Sequence, residues 1–94
     1  MYKLSPKAKQ DIRDIRKYTK NKFGPTQASK YYNQLFDAFE KLSSNRSLGK
    51  NYDELALSIK GCRMQSHVIF FIIKPSHIDI VRILHKSKDY KRHV

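Results

Sequence analysis

The strongest constraint on the fold is a change in the spacing of apolar residues near the middle of the chain. Between residues 8 and 42, apolar side chains recur every three or four residues, which is the period of an amphipathic helix. Beyond residue 58 they gather into short runs, and the longest, Val68–Ile73, has the length of a strand covered on both faces. Helices followed by strands predict an α+β fold.

Two helices are predicted in the first half of the chain. A short strand at 1–4 precedes Ser5 and Pro6, which suit a helix start because serine caps free amides and proline needs no N–H there. The stretch Phe-Gly-Pro-Thr at 23–26 ends the first helix and begins the second. So short a connection predicts an antiparallel helical hairpin, followed by a polar linker at 43–54.

Three strands are predicted in the second half, at 58–64, 67–74 and 78–84. Gly61 inside the first of them indicates a bulge or a close approach of another group. The predicted order is β-α-α-β-β-β, an antiparallel sheet with the N-terminal helical hairpin packed on one face. At this length we expect a single domain over 1–94.

The chain is strongly basic, with a formal net charge of +12 from 20 Lys and Arg against 8 Asp and Glu. The excess is spread along the chain, with 12 against 4 in residues 1–50 and 8 against 4 in residues 51–94. Such a field attracts polyanions, either nucleic acid or an acidic protein. No apolar run is long enough to cross a membrane. Cys62 stands alone, so no internal disulfide is possible and a reducing, cytoplasmic setting is expected.

Arg82 is a candidate functional residue in the last predicted strand. Strict alternation places it on one face with Ile78 and Leu84, where a guanidinium needs an acid partner or access to solvent. It is either paired or an exposed anion-binding group. The candidate partners are Asp53, Glu54 and Asp89, whereas Asp11 and Asp14 are assigned to the exposed basic face of the first helix.

Arg63 and His67 flank the turn between the first two long strands. Gln65-Ser66 is a poor composition for a two-residue turn, so a longer loop is predicted. Together with groups in the tail, these side chains include the cations and proton-transfer groups of a metal-free ribonuclease. The tail candidates are His85, Tyr90 and His93. No spacing fixes their mutual geometry, and no His, Cys or acid cluster has the spacing of a metal site, so neither metal nor cofactor is predicted.

Several stretches together resemble the ParE-type toxins of the RelE/ParE superfamily. They are Ser5-Pro6 with Ala8, the stretches 23–35 and 48–55, Arg63 with 67–71, and the block 78–94. The final block, Ile-Val-Arg-Ile-Leu-His at 80–85 with Asp89 and His93, is the most specific. Phe71 and Lys88 depart from the family pattern, which has Tyr and Met there.

The resemblance implies the β-α-α-β-β-β fold and the toxin half of a type II toxin–antitoxin system. It implies neutralisation by direct binding of a small acidic ParD-like antitoxin in a hetero-oligomer. It also implies DNA gyrase as the target, reached without enzymatic activity and touching nucleic acid only through that target. Blocked replication, growth arrest and plasmid stabilisation would follow.

Two alternatives remain beside gyrase inhibition. RelE-type relatives cleave messenger RNA on the ribosome, although the wholly apolar run Val68–Ile73 lacks the basic lining that such cleavage needs. A plain nucleic-acid-binding domain is the other. The target-contact residues are predicted to lie at one end of the sheet and in the tail, with Asp89 pairing Arg82. They are Arg63, His67, Arg82, His85, Lys86, Lys88, Tyr90 and Arg92.

Overall fold

The structure is a computed structural model that describes the backbone of residues 1–94 and every side chain except that of Arg46. The predicted order of helices and strands is confirmed, and one short strand, β2, lies inside the predicted polar linker. The elements are β1 (Tyr2–Leu4), α1 (Pro6–Phe23), α2 (Pro25–Ser44), a 3-10 turn (Arg46–Leu48), β2 (Lys50–Asn51), β3 (Ile59–Met64), β4 (His67–Ile73), β5 (Ile78–His85) and a second 3-10 turn (Tyr90–Arg92).

The five strands form one sheet in the order β1-β5-β4-β3-β2. The pairs β3–β4 and β4–β5 are antiparallel, as predicted, and β2 pairs with β3 in the same way. The prediction of a wholly antiparallel sheet was wrong at one edge, because β1 pairs with β5 in parallel. The predicted α+β class with an N-terminal helical hairpin is confirmed. Neither described helix combines the length and apolarity that a membrane crossing requires.

Ser5 ties the start of α1 to the sheet. Its hydroxyl accepts a hydrogen bond from the N–H of Ala8 at 3.0 Å and donates one to the carbonyl of Val81 at 2.8 Å. Gly24 separates the two helices with φ of +91°, a conformation that favours glycine, and Pro25 opens α2. The local signals for the helical hairpin therefore act as the sequence predicted.

Apolar side chains pack on both faces of the sheet. The inner layer lies between the sheet and the helices, and the outer layer is covered by residues 52–56 and the C-terminal tail. Because β4 contributes to both layers, its continuous apolar run is explained. The inner layer includes Ala8, Ile12, Leu35, Phe39, Ile69, Phe71, Ile80 and Ile83, and the outer layer includes Ile59, Val68, Phe70 and Leu84.

A register shift in β5 reverses the alternation that the sequence predicted. Phe70 pairs with Arg82 and Phe71 with Ile80, so Val81 is an extra residue without a cross-strand partner. Ile80 and Ile83 both pack in the inner layer as a result, although they are three residues apart. The prediction that Leu84 shares a face with Ile78 was wrong, because Leu84 packs in the outer layer.

Gly61 marks a close approach of an aromatic ring and not the bulge. A Cβ atom at Gly61 would lie 2.7 Å from Cε2 of Tyr52 and 3.1 Å from Cγ1 of Val68. The ring of Tyr52 can therefore approach the strand this closely only because residue 61 has no side chain.

Candidate functional site

The start of β4 and the end of β5 bring two histidines together at one end of the sheet. His67 and His85 are cross-strand partners, with ring centroids 5.4 Å apart and ring planes at 88°. Tyr31 reaches them from α2, and its hydroxyl oxygen lies 2.6 Å from Nδ1 of His67. We call this end of the molecule, defined by Tyr31, His67 and His85, the histidine end.

His67 and Tyr31 form a neutral hydrogen-bonded pair. The pKa of His67 is lowered to about 4, mainly by burial and also by the nearby imidazole of His85, and Asp11 opposes both effects. Burial also raises the pKa of Tyr31. Near pH 7 the imidazole is therefore uncharged and the phenol keeps its proton. The two groups share a hydrogen bond and do not form an ion pair.

The histidine end borders an open pocket of about 490 Å³. Its remaining walls come from the last two turns of α1, from Gln27 at the start of α2 and from the turn between β3 and β4. Two of the predicted contact residues, His67 and His85, thus line one cavity.

The turn between β3 and β4 contains only Gln65 and Ser66, because Met64 pairs directly with His67. The predicted longer loop was wrong. Gln65 adopts φ of +52°, the left-handed conformation that tight hairpin turns need, despite being neither Gly nor Asn. Its side chain donates to Oε1 of Gln34 on α2 at 2.6 Å, which anchors the turn.

Arg63 lies beside this turn but not in the pocket. It pairs with Val68, an outer-layer residue, whereas His67 contacts Tyr31 on the helical side. Its Nε donates to the carbonyl of Gln65 at 2.6 Å. Arg63 and His67 are therefore close in sequence but lie on opposite faces of the sheet.

Arg82 is held by Asp11 on α1. Its Nε and Nη2 each donate to one carboxylate oxygen of Asp11 at 2.8 Å, and Nη1 donates to the carbonyl of His93 at 2.9 Å. The predicted pairing of Arg82 with Asp89 was wrong. Asp89 instead caps the second 3-10 turn by accepting from the N–H of Lys91 at 3.2 Å.

Asp11 is the residue that the sequence interpretation missed. It is 9% exposed, and it also accepts the N–H of Ile83 at 2.9 Å, so it bonds both the side chain and the backbone of β5. A signal was present in the spacing, since Asp11 lies three residues after Ala8 and four before Ile15, both buried. A carboxylate on the apolar face of a helix indicates a buried cation.

The tail after His85 folds back over the outer layer. Tyr90 packs against Phe70, with ring centroids 5.0 Å apart, and its hydroxyl donates to the carbonyl of Lys86 at 3.3 Å. The N–H of Lys86 donates to the carbonyl of Ser66 at 2.8 Å. Tyr90 thus fixes a tail whose side chains at Lys86, Lys88 and Arg92 are exposed.

The described side chains give little support to thiol chemistry or to metal binding. Burial raises the pKa of the Cys62 thiol, which disfavours the reactive thiolate. Among the side chains that the structure describes, no three His, Cys, Asp or Glu residues are placed to hold a metal ion. The arrangement at the histidine end suits hydrogen bonding and stacking.

The fold is shared with a solved structure. Two helices on one face of a five-stranded sheet are shared with a solved chain of the "Chromosomal ParDE TA system from P. aeruginosa", with a TM-score of 0.77 at 20% sequence identity. The match covers 89% of this chain and 92% of that one. At this identity the likeness shows the fold alone.

The sequence then gives the family. Residues 2–90 match the family described as "ParE toxin of type II toxin-antitoxin system, parDE", and the chain belongs to that family. It is 30% identical to "Toxin ParE1" of Caulobacter vibrioides over 93 residues, covering 99% of this chain and 96% of the relative. It is also 30% identical to "Toxin ParE1" of Mycobacterium tuberculosis over 94 residues, with the same coverage. It is 27% identical to "Toxin ParE" of Escherichia coli over 89 residues, covering 94% of this chain and 86% of the relative. The resemblance seen in the sequence is confirmed.

Proposed function

We propose that this toxin acts in the cytoplasm by binding DNA gyrase, so that DNA breaks accumulate and replication stops, and that a cognate acidic antitoxin neutralises it. Membership of the ParE family over residues 2–90 carries the proposal. In this proposal the toxin acts by binding and performs no covalent chemistry.

The proposed gyrase contact is the exposed tail together with the neighbouring end of the sheet. Lys86, Lys88 and Arg92 are exposed, and Tyr90 holds their backbone against the outer layer. Holding basic side chains on an anchored segment reduces the entropy lost on binding. Arg63 lies on the same outer face and extends this basic surface, whereas Arg82 serves it indirectly by fixing the tail at His93.

The proposed antitoxin site is an apolar groove of about 550 Å³ on the outer side of the sheet. Lys7 and Arg82 also border it, and the whole chain carries +12. An acidic segment with one apolar face would cover the groove and complement the charge. The apolar lining comprises Pro6, Ala56, Ile59, Ile72, Val81 and Val94.

A supercoiling assay tests the gyrase proposal. Purified toxin is mixed with gyrase, ATP and relaxed plasmid, and both supercoiled and linear DNA are measured. Loss of supercoiling with trapped linear DNA is expected. No effect from toxin shown to be folded would contradict the proposal.

The antitoxin proposal is tested by a matched pair of substitutions. Ile72→Glu places a negative charge in the groove, and Leu57→Glu places the same charge on a side chain outside it that is 87% exposed. We expect Ile72→Glu to abolish neutralisation by the cognate antitoxin while toxicity remains, and Leu57→Glu to leave neutralisation intact. Equal neutralisation of both variants would place the antitoxin elsewhere.

Ribosome-dependent cleavage of messenger RNA is the second candidate function, and one observation favours it. His67 and His85 face each other beside an open pocket, as two imidazoles would in acid–base cleavage of a phosphodiester. Two features oppose it. With its pKa lowered to about 4, His67 is a weak base and carries no proton to donate near pH 7, and Asp11 already occupies the guanidinium of Arg82. Cleavage of ribosome-bound message without any effect on supercoiling would establish it.

A further inference from the structure

The last two turns of α1 expose two aromatic rings with a lysine between them. The side chains of Tyr18 and Phe23 are 56% and 61% exposed. Nζ of Lys22 lies 5.5 Å from the ring centroid of Tyr18 and 5.6 Å from that of Phe23, and it donates to the hydroxyl of Tyr18 at 3.1 Å. Two exposed aromatic rings around one cation form a surface that favours both π-stacking and negative charge.

These rings form one wall of the pocket at the histidine end. The pocket also contains hydrogen-bonding groups, contributed by Gln27, Gln65 and Ser66. Its volume of about 490 Å³ falls within the range of roughly 300–1,000 Å³ typical of small-molecule sites. One cavity therefore combines a stacking surface with donors and acceptors that could read the edge of a planar ligand.

The electrostatic surroundings select an anionic ligand. Among the described side chains that line the pocket, none is acidic. Lys22 lies at this wall. The net charge of +12 adds a long-range attraction for polyanions.

We propose that this pocket binds an unpaired nucleobase with its adjoining phosphate, and so forms a binding site for single-stranded nucleic acid. The base stacks on Tyr18 or Phe23, its polar edge faces the amides and imidazoles, and Lys22 neutralises the phosphate. This inference goes beyond the proposed gyrase function. The aromatic wall formed by Tyr18, Lys22 and Phe23 lies outside the proposed gyrase contact, so binding at this wall can be tested without gyrase.

Fluorescence anisotropy with three labelled oligomers of five nucleotide units distinguishes binding that requires a base from binding that requires only negative charge. The oligomers are deoxyadenylate, adenylate, and an abasic deoxyribose phosphate of equal charge. We expect both base-bearing oligomers to bind about tenfold or more tightly than the abasic one. Tighter binding of adenylate would assign the ligand to RNA, and tighter binding of deoxyadenylate to DNA. Equal affinity for the base-bearing and abasic oligomers, or no binding by folded toxin at low salt, would overturn the proposal.

Substitutions at the aromatic wall make the test specific to the pocket. Phe23→Ala and Tyr18→Ala are each expected to weaken binding of the base-bearing oligomers about tenfold without affecting the abasic one. Two control variants should bind the oligomers normally. Tyr18→Phe retains the ring, and Leu57→Ala removes an exposed apolar side chain that lies outside the pocket. Lys22→Ala should reduce the salt dependence of log K by about 0.7. Unchanged affinity in both aromatic variants would place any binding elsewhere. Since the assay contains no gyrase, its failure is distinct from failure of the gyrase proposal.

Discussion

Arg82 and Asp11 join the last strand to the first helix through two hydrogen bonds of 2.8 Å. The same guanidinium bonds the carbonyl of His93, so the helix, the sheet and the C-terminal tail meet at one side chain. The hydrogen bond with Asp11 raises the pKa of Arg82, so the guanidinium stays charged. This contact therefore holds together two parts of the chain that lie 71 residues apart in sequence.

Removing Asp11 is expected to destabilise the toxin strongly. Asp11→Ala leaves the guanidinium of Arg82 half-buried without its counter-charge and leaves the N–H of Ile83 without its acceptor. The expected loss is about 3 kcal/mol of unfolding free energy, measured by urea denaturation. Asp14→Ala, on the same helix, removes an exposed carboxylate that bonds Gln10 and should cost less than about 0.5 kcal/mol. Similar losses in the two variants would show that the Asp11–Arg82 pair adds no special stability.

Substitutions in the tail are expected to separate target contact from folding. Lys88→Ala and Arg92→Ala change exposed side chains, so toxicity should fall while the urea midpoint stays within experimental error. Tyr90→Ala removes the ring that packs on Phe70 and should lower toxicity and stability together, the latter by about 2 kcal/mol. Growth assays with urea denaturation measure both. Full toxicity of Lys88→Ala and Arg92→Ala would argue that the tail has only a structural role.

Much of the fold followed from local signals, and the errors in strand register and in the partner of Arg82 came from long-range contacts. Ser5, Gly24 and the apolar period of the helices act within a few residues, so their effects could be predicted. The bulge at Val81 could not be predicted, because it depends on which residues of β4 lie opposite β5. The partner of Arg82 was missed for the same reason, since Asp11 is distant in sequence and lies among basic residues.

The candidate site was predicted only in part. The sequence named His67 and His85 but gave no reason to bring them together, because the pairing register of β4 and β5 decides that contact. Tyr31 belongs to the buried apolar face of α2, and nothing in its spacing indicates a hydrogen bond to His67. Tyr18 and Phe23 were not considered as binding residues, since exposure of an aromatic ring is a property of the folded surface.

A methyl group at position 61 is expected to displace Tyr52. Gly61→Ala places Cβ 2.7 Å from the ring, and the resulting overpacking should cost about 1–3 kcal/mol of unfolding free energy. Tyr52→Ala removes the obstacle, although it is destabilising by itself because the ring packs on Phe70. In a double-mutant cycle the cost of Gly61→Ala should fall by at least about 1 kcal/mol when Tyr52 is absent. Additive losses would mean that Tyr52 is not the group displaced.

Protonation of His67 is expected to make the toxin less stable in mild acid. The pKa of His67 is about 4 in the folded chain, against 6.5 as the ordinary value. Between these values the unfolded chain binds more protons, so the unfolding free energy rises with pH, reaches its full value above about pH 6.5 and falls towards pH 4. One pKa unit corresponds to about 1.4 kcal/mol, and solvent screening at this partly exposed ring reduces the total effect to about 1.5 kcal/mol.

Urea denaturation at several pH values, compared between the toxin and His67→Asn, isolates this contribution. Asparagine can place an amide oxygen near the position of Nδ1, so it can still accept a hydrogen bond from Tyr31, but it does not titrate. Other ionisable groups contribute similarly to both proteins, and the difference between the two pH profiles therefore reports His67. We expect the toxin to lose about 1 kcal/mol more than the variant on going from pH 7 to pH 4.5. Parallel profiles would mean that the imidazole takes up its proton as readily in the folded chain as in the unfolded one.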